Sequence, residues 1–225
     1  MLKQAATYDE LCRDFRWDIP ARFNMATACC DRHADGSGRL ALVYVDEDGG
    51  TTRTSFDEVA DASRRFANVL TADGLVRGDR VAVFLSQSLE LPVAHLAAFR
   101  AALISIPLFA LFGEDALEFR LSNSAAKAII TDEAGWEKIA KIRDRLPELK
   151  SVYIVGDETP PGTKPFWGAI KSASPDFATV DTSADDPALI IYTSGTTGNP
   201  KGALHAHRVV LGHLPNVEMV DRKSV

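Results

Sequence analysis

The sequence predicts an α/β fold, a mainly parallel sheet flanked by helices. Three observations lead there. Short apolar runs with strand character recur along the chain, helical periodicity fills the intervals between them, and turn residues mark the junctions. A strand–helix–strand succession of this kind favours parallel pairing, because each helix carries the chain back across the sheet.

The elements follow in order. Arg39 to Val45 alternates toward a strand, Asp46-Glu47-Asp48-Gly49-Gly50 reads as a turn, and Thr51 to Thr54 returns as a hairpin partner. Ser55-Phe56-Asp57-Glu58 has the form of a capping box, with a hydroxyl at the N-cap and a carboxylate three residues on. Phe56, Val59, Phe66, Val69 and Leu70 share one helical face, and Gly74 stands where the helix should end. Gly78-Asp79-Arg80 turns into a strand over Val81 to Leu85. A helix over Leu89 to Ala102 and a strand over Ile104 to Leu108 come next. Glu114 to Ser122 and Glu133 to Arg145 are expected as helices, Ala128 to Thr131 and Val152 to Val155 as strands. Gly156 to Pro165 is a turn-rich loop. Ser172 to Pro187 is polar and acidic, which divides the chain into a first subdomain (1–171), a connection (172–187) and the start of a second subdomain (188–225).

Composition narrows the possibilities. The chain has 225 residues, 46% apolar and 25% charged, with a net charge of −6. That balance suits a globular protein with a substantial core and carries no broad nucleic-acid or anionic-membrane footprint. Cys12, Cys29 and Cys30 have neither metal-ligand nor disulfide-framework spacing, and buried free thiols in a reducing compartment are expected. Met1 to Pro20 mixes charges through any apolar run, so the expected location is cytoplasmic. Leu91 to Phe112 approaches the length of a membrane span. His95, Arg100, Pro92 and Pro107 interrupt it, and a buried helix followed by a buried strand fits better.

Chemistry concentrates after the apolar strand Ala188 to Tyr192. The loop Thr193-Ser194-Gly195-Thr196-Thr197-Gly198-Asn199-Pro200-Lys201-Gly202 suits a polyphosphate at each position. Glycines let consecutive backbone N–H groups turn toward an anion. The hydroxyls of Thr193, Ser194, Thr196 and Thr197 can donate to phosphate oxygens. Lys201 adds a mobile cation, and Pro200 restricts the backbone before it. The NTPase pattern GxxxxGK[ST] fails on spacing, since Pro200 stands where it needs glycine and Gly202 follows the lysine.

This loop resembles, without a gap, the signature of the acyl-adenylate-forming (AMP-binding) superfamily. Gly78-Asp79-Arg80-Val81-Ala82-Val83, Ile106 to Gly113 and Ala126 to Asp132 resemble the N-terminal region of the same enzymes, in the same order, so the likeness runs from about Thr51 to His213. The Leu108 to Gly113 stretch and Lys201 to His207 look most like acetyl- and medium-chain acyl-CoA synthetases. Ala102 and Ala125 stand where such relatives often have glycine. Either crowds a turn that prefers positive φ or is harmless on ordinary backbone.

The resemblance implies the first part of the large N-terminal domain of an adenylate-forming enzyme. It further implies a ligase of fatty acid metabolism that joins a carboxylate to ATP as acyl-AMP with loss of pyrophosphate, then to CoA as a thioester. ATP, Mg²⁺ and CoA are the implied co-substrates and cofactor, with acetate or a short- to medium-chain acid as partner. Thr193 to Lys201 would cradle the β- and γ-phosphates, where charge builds as pyrophosphate leaves. The family's adenine-binding segment, ribose-gripping carboxylate and C-terminal lid with its lysine match no part of this sequence. An isolated chain is therefore expected to be inactive, and a truncated, non-catalytic product with residual phosphate binding is the alternative. No catalytic residue and no protein ligand for a metal is assigned. Asp79 is expected to cap local N–H groups, His205 and His207 to pack or orient beside the loop, and Lys127 and Lys164 to be solvated surface charges. Val209, Val210, Leu211 and Leu214 read as the start of a core helix.

Overall fold

The computed structural model describes residues 5–46, 48–193 and 198–220. Two short helices, α1 (Tyr8–Asp14) and α2 (Met25–Cys29), precede an antiparallel hairpin of β1 (Leu40–Val45) and β2 (Thr51–Ser55). Then come α3 (Phe56–Ala72), β3 (Arg80–Phe84), α4 (Glu90–Arg100), β4 (Ile104–Pro107), α5 (Glu114–Ser124), β5 (Ala128–Asp132), α6 (Glu133–Ile142) and β6 (Ser151–Val155). The chain continues through β7 (Lys164–Pro165), α7 (Phe166–Ser172), β8 (Pro187–Thr193), β9 (Lys201–Ala206) and α8 (Val209–Val220).

Seven strands form one sheet in the order β7-β6-β5-β3-β4-β8-β9, parallel except for the antiparallel β8–β9 pair. The period of two along the strands sorts side chains between two cores. Val81, Val83, Ala128, Ile130 and Tyr153 join α3, α4 and α7 on one face. Ala82, Phe84, Ile129, Val152 and Ile154 join α5 and α6 on the other. Strands covered on both faces are continuous apolar runs, which is why the sequence patterns there read as unbroken.

Local signals act as expected at several places. Ser55 caps α3 reciprocally with Glu58, and Gly74, at φ 85°, follows its end. The turn after β1 closes through Asp46 N–H to the Gly50 carbonyl at 3.0 Å. Leu91 to Phe112 is a helix and a buried strand, and no helix among the described residues is long and apolar enough to cross a membrane. Arg100, within that segment, has no exposed surface.

Other expectations need correction. Helix α6 stops at Ile142, and its last expected turn is a 3₁₀ turn over Arg143–Arg145. Helices α1, α2 and α7 lie in segments with no expected structure, and Lys164–Pro165 pairs with β6 inside the expected loop. Cys12 and Cys29 are exposed, and only Cys30 is buried. Burial pushes the Cys30 thiol up to about 11, so it stays protonated and inert. Helix α8 is half-covered: Val209, Val210, Leu211 and Leu214 are only partly buried, and Pro215 sits inside the helix.

Both alanines at glycine-preferring positions adopt left-handed backbone, φ 53° at Ala102 and 49° at Ala125. Each closes a helix in the same way. Leu103 N–H bonds the Ala98 carbonyl at 2.8 Å after α4, and Ala126 N–H bonds the Leu121 carbonyl at 3.0 Å after α5. These are Schellman closures, in which the residue at positive φ is usually glycine because a Cβ crowds the following carbonyl.

Between the last residue of α7 and the first of β8, the 172–187 connection carries no helix or regular strand, yet it is stitched down along its length. Arg65 donates to the Ala173 carbonyl at 2.7 Å, Asn68 to the Ser174 and Asp176 carbonyls at 2.9 Å each, and Val180 N–H to the Arg100 carbonyl at 2.8 Å. It delivers β8 to the sheet between β4 and β9, where Leu189 registers with Ser105 of β4.

Candidate functional site

The expected phosphate loop is the connection of the β8–β9 hairpin. Thr193 and Lys201 are its last facing pair, and Tyr192 faces Gly202 one step inside. Both ends of the loop are thus held one strand spacing apart. Ser194, Gly195, Thr196 and Thr197 lie outside the described residues. Of the rest, Thr193, Gly198, Asn199 and Lys201 are exposed and Pro200 is half-buried. Gly198 has φ 93°, a left-handed conformation that glycine reaches without steric cost. Lys201 makes no ion pair among the described residues, which leaves its charge available to an anion.

The base of the loop is held by the contacts that grip Tyr192. Its hydroxyl donates to Asn123 Oδ1 at 2.7 Å, and Phe119 meets its ring edge-on at 6.4 Å between centroids. Opposite the ring is Gly202, where an added Cβ would stand 3.0 Å from Ile190 Cγ2 and 3.2 Å from Tyr192 Cζ. The glycine there serves close approach, since its φ is not in the left-handed region. Asn123 and Arg120, which frame Tyr192 from α5, carry no local sequence signal. Only the three-residue spacing that puts both on neighbouring turns could have pointed to them.

The two histidines separate. His205 is half-buried on β9, while His207 falls one residue past the strand and is fully buried. His207 accepts a hydrogen bond from Met25 N–H at 3.2 Å and packs edge-on against Phe99. Burial lowers its pKa to about 4, so it stays neutral and serves packing. His205, His95 and His213 border an apolar cavity of about 690 Å³ between α4 and the hairpin. His95 shares a 2.7 Å hydrogen bond between Nδ1 and Ser105 Oγ, and burial lowers its pKa to about 4. Such a ring orients structure rather than moving protons near neutral pH.

Asp79 accepts from Val76 N–H at 2.9 Å, the local capping expected of it. Its other oxygen pairs with Lys127 Nζ at 2.9 Å. Lys127 is therefore an ion-pair partner of a buried carboxylate, not a solvated charge. Lys164 is exposed, as expected, but it too has a partner, Asp73, beside Tyr153 and Ser151. Burial raises the Asp73 pKa, but the hydrogen bonds from Lys164, Tyr153 and Ser151 outweigh it and leave the carboxyl below its usual range.

The fold meets its counterpart in known proteins. A family model described as AMP-binding enzyme matches residues 30–223. The chain belongs to the AMP-binding enzyme family. An acetyl-coenzyme A synthetase of Bacillus subtilis is 37% identical over 91% of this chain and 38% of its own length. A mitochondrial acyl-coenzyme A synthetase of Homo sapiens is 34% identical over 87% of this chain and 36% of its own. A crystal structure of a Brucella canis acyl-CoA synthetase superposes with a TM-score of 0.82 at 30% identity, covering 91% of this chain and 39% of that one. The chain thus spans little more than a third of the length of these AMP-binding relatives.

Proposed function

We propose that this chain supplies the pyrophosphate-holding part of an ATP-dependent acyl-CoA synthetase acting on acetate or a short- to medium-chain fatty acid. Thr193 to Lys201 bind the β- and γ-phosphates, and residues 188–225 begin a second subdomain. The observation that supports this is the hairpin base, where Thr193 and Lys201 face each other with the lysine exposed and outside any ion pair among the described residues.

The chemistry follows from that placement. A carboxylate oxygen attacks the α-phosphorus, the bond to the bridging oxygen breaks, and the electron pair leaves on pyrophosphate. Negative charge grows on the departing group, so a fixed cation and N–H donors beside it stabilise the transition state more than the ground state. Among the described residues no cluster of three or more His, Cys, Asp or Glu could hold a metal ion. Mg²⁺ would enter with the ATP phosphates as part of the substrate and share their charge. CoA thiol then displaces AMP to give the thioester.

Calorimetry with magnesium pyrophosphate and MgATP tests the reading. Saturable binding of pyrophosphate that Lys201→Ala weakens supports it, and absence of binding sinks it for this chain. ATP–pyrophosphate exchange with acetate or hexanoate should read blank for the chain alone, because adenine, ribose and lid contacts of the family match none of its residues. Robust exchange would show that those contacts are dispensable.

A further inference from the structure

Arg120 on α5 is only 8% exposed, yet no carboxylate among the described residues pairs with it. One terminal nitrogen, NH1, donates to the Ala116 carbonyl at 2.8 Å, and the buried Nε has no hydrogen-bond partner. A buried guanidinium usually finds an acid. Here it finds aromatic rings. Its central carbon stands 4.0 Å from the Phe112 centroid and 5.7 Å from that of Tyr192.

The same turn of α5 also holds Tyr192 by polar contacts, through Asn123 Oδ1 at 2.7 Å and the Arg120 carbonyl at 3.3 Å. Tyr192 has Gly202 against its ring and Thr193 as its next residue. A run of contacts therefore leads from Phe112 through Arg120 and Tyr192 to Gly202, and ends at the Thr193–Lys201 pair. We propose that Arg120 is a positioning residue for the phosphate loop, setting Tyr192 and Gly202, and through them Thr193 and Lys201, before the anion arrives. The proposal rests on the polyphosphate reading of that loop.

Two features make arginine the suitable residue. Its planar guanidinium stacks on a ring face, which a lysine ammonium cannot reproduce. Burial lowers its pKa, yet a guanidinium stays charged, and so leaves an uncompensated positive charge beside Tyr192 at the strand end that leads into the loop. Preorganisation of this kind lowers the ordering cost at binding.

The test compares Arg120→Lys and Arg120→Met with the unaltered chain. Amide exchange of Tyr192 and Gly202 should rise about ten-fold in both variants, the size expected from losing a desolvated cation–π contact, while Val81–Phe84 and Ile129–Thr131 keep their protection. Pyrophosphate affinity should fall about ten-fold in Arg120→Met and by less in Arg120→Lys, which keeps the charge. Unchanged exchange at Tyr192 and Gly202 overturns the proposal. So does a rise spread evenly over β3 and β5, which would mark a general packing role. If the unaltered chain does not bind pyrophosphate, the polyphosphate reading falls, and the exchange arm still decides whether Arg120 positions the hairpin.

Discussion

Arg100 and Asp31 form a doubly hydrogen-bonded ion pair, NH1 to Oδ2 at 2.8 Å and NH2 to Oδ1 at 2.6 Å. The guanidinium is fully buried, and Ser63 Oγ at 2.9 Å and Thr179 Oγ1 at 3.0 Å take its further donors. One side chain thereby joins the segment after α2, helices α3 and α4, and the connection that leads to β8.

The pair is asymmetric, and that fixes the first prediction. Asp31→Ala leaves a buried cation without its acid and should cost roughly 3–5 kcal/mol. Arg100→Met should cost less, because Asp31 keeps some exposure and the Arg64 contact at 3.5 Å. Urea denaturation of both variants checks the order, and equal losses would contradict it.

Ala125 offers the opposite sign. At φ 49° its Cβ is crowded, and Ala125→Gly should stabilise the chain by about 1 kcal/mol despite the greater freedom of glycine when unfolded. Ala102→Gly should gain less, because Ala102 is 3% exposed and its buried methyl is lost. Thermal unfolding midpoints of the two variants decide this.

How far the sequence discloses the fold depends on the range of the interaction. The Ser55–Glu58 cap, the doubly covered strands and the β8–β9 loop are local and legible. The Thr7–Glu10 capping box of α1 is equally local, and both of its halves are formed. It escapes notice because no apolar stripe follows: α1 has no buried residue. Helices α2 and α7 are too short for periodicity to show. Asp31 and Arg100, or Tyr192 and Arg120, meet only through tertiary packing. The family's glycine preference at positions 102 and 125 has meaning only once φ is seen.

His95 and His207 make stability depend on pH. Each is neutral when buried, with a folded pKa near 4, whereas the unfolded chain protonates near 6.5. The unfolded state therefore binds more protons between these values. Stability is complete above about pH 6.5 and falls toward pH 4, by up to roughly 1.4 kcal/mol per pH unit for each histidine. Asp186 and Arg77, the charges facing His207, act in opposite directions and come second to its burial. Denaturation midpoints at several pH values should show the decline, and His95→Gln should flatten it.

Lys201→Ala should weaken pyrophosphate binding about ten-fold or more, as expected for losing a charge-assisted contact. Lys127 and Lys164 are unsuitable controls, because each holds a carboxylate of the fold. Lys150 is exposed, and its ammonium donates to the Pro147 carbonyl with no ion pair among the described residues, so Lys150→Ala should leave affinity unchanged. Calorimetric titration of both variants separates a specific role from a general loss of positive charge.

Gly202→Ala probes the loop base without altering any charge or hydroxyl. Its new Cβ would stand 3.0 Å from Ile190 Cγ2 and 3.2–3.3 Å from the Tyr192 ring, so one neighbour must move. Ile190 can rotate only within its packing against the second core, and Tyr192 is fastened to Asn123. With both neighbours constrained, overpacking should cost about 1–2 kcal/mol and displace the strand ends that carry Thr193 and Lys201. Pyrophosphate affinity should then fall although no group that touches the anion has changed. Adding Asn123→Ala should restore part of the loss, since a released Tyr192 ring can swing away from the new methyl group. A double-mutant cycle on affinity measures that coupling, and strict additivity would show that the Tyr192 anchor and the Gly202 contact act independently.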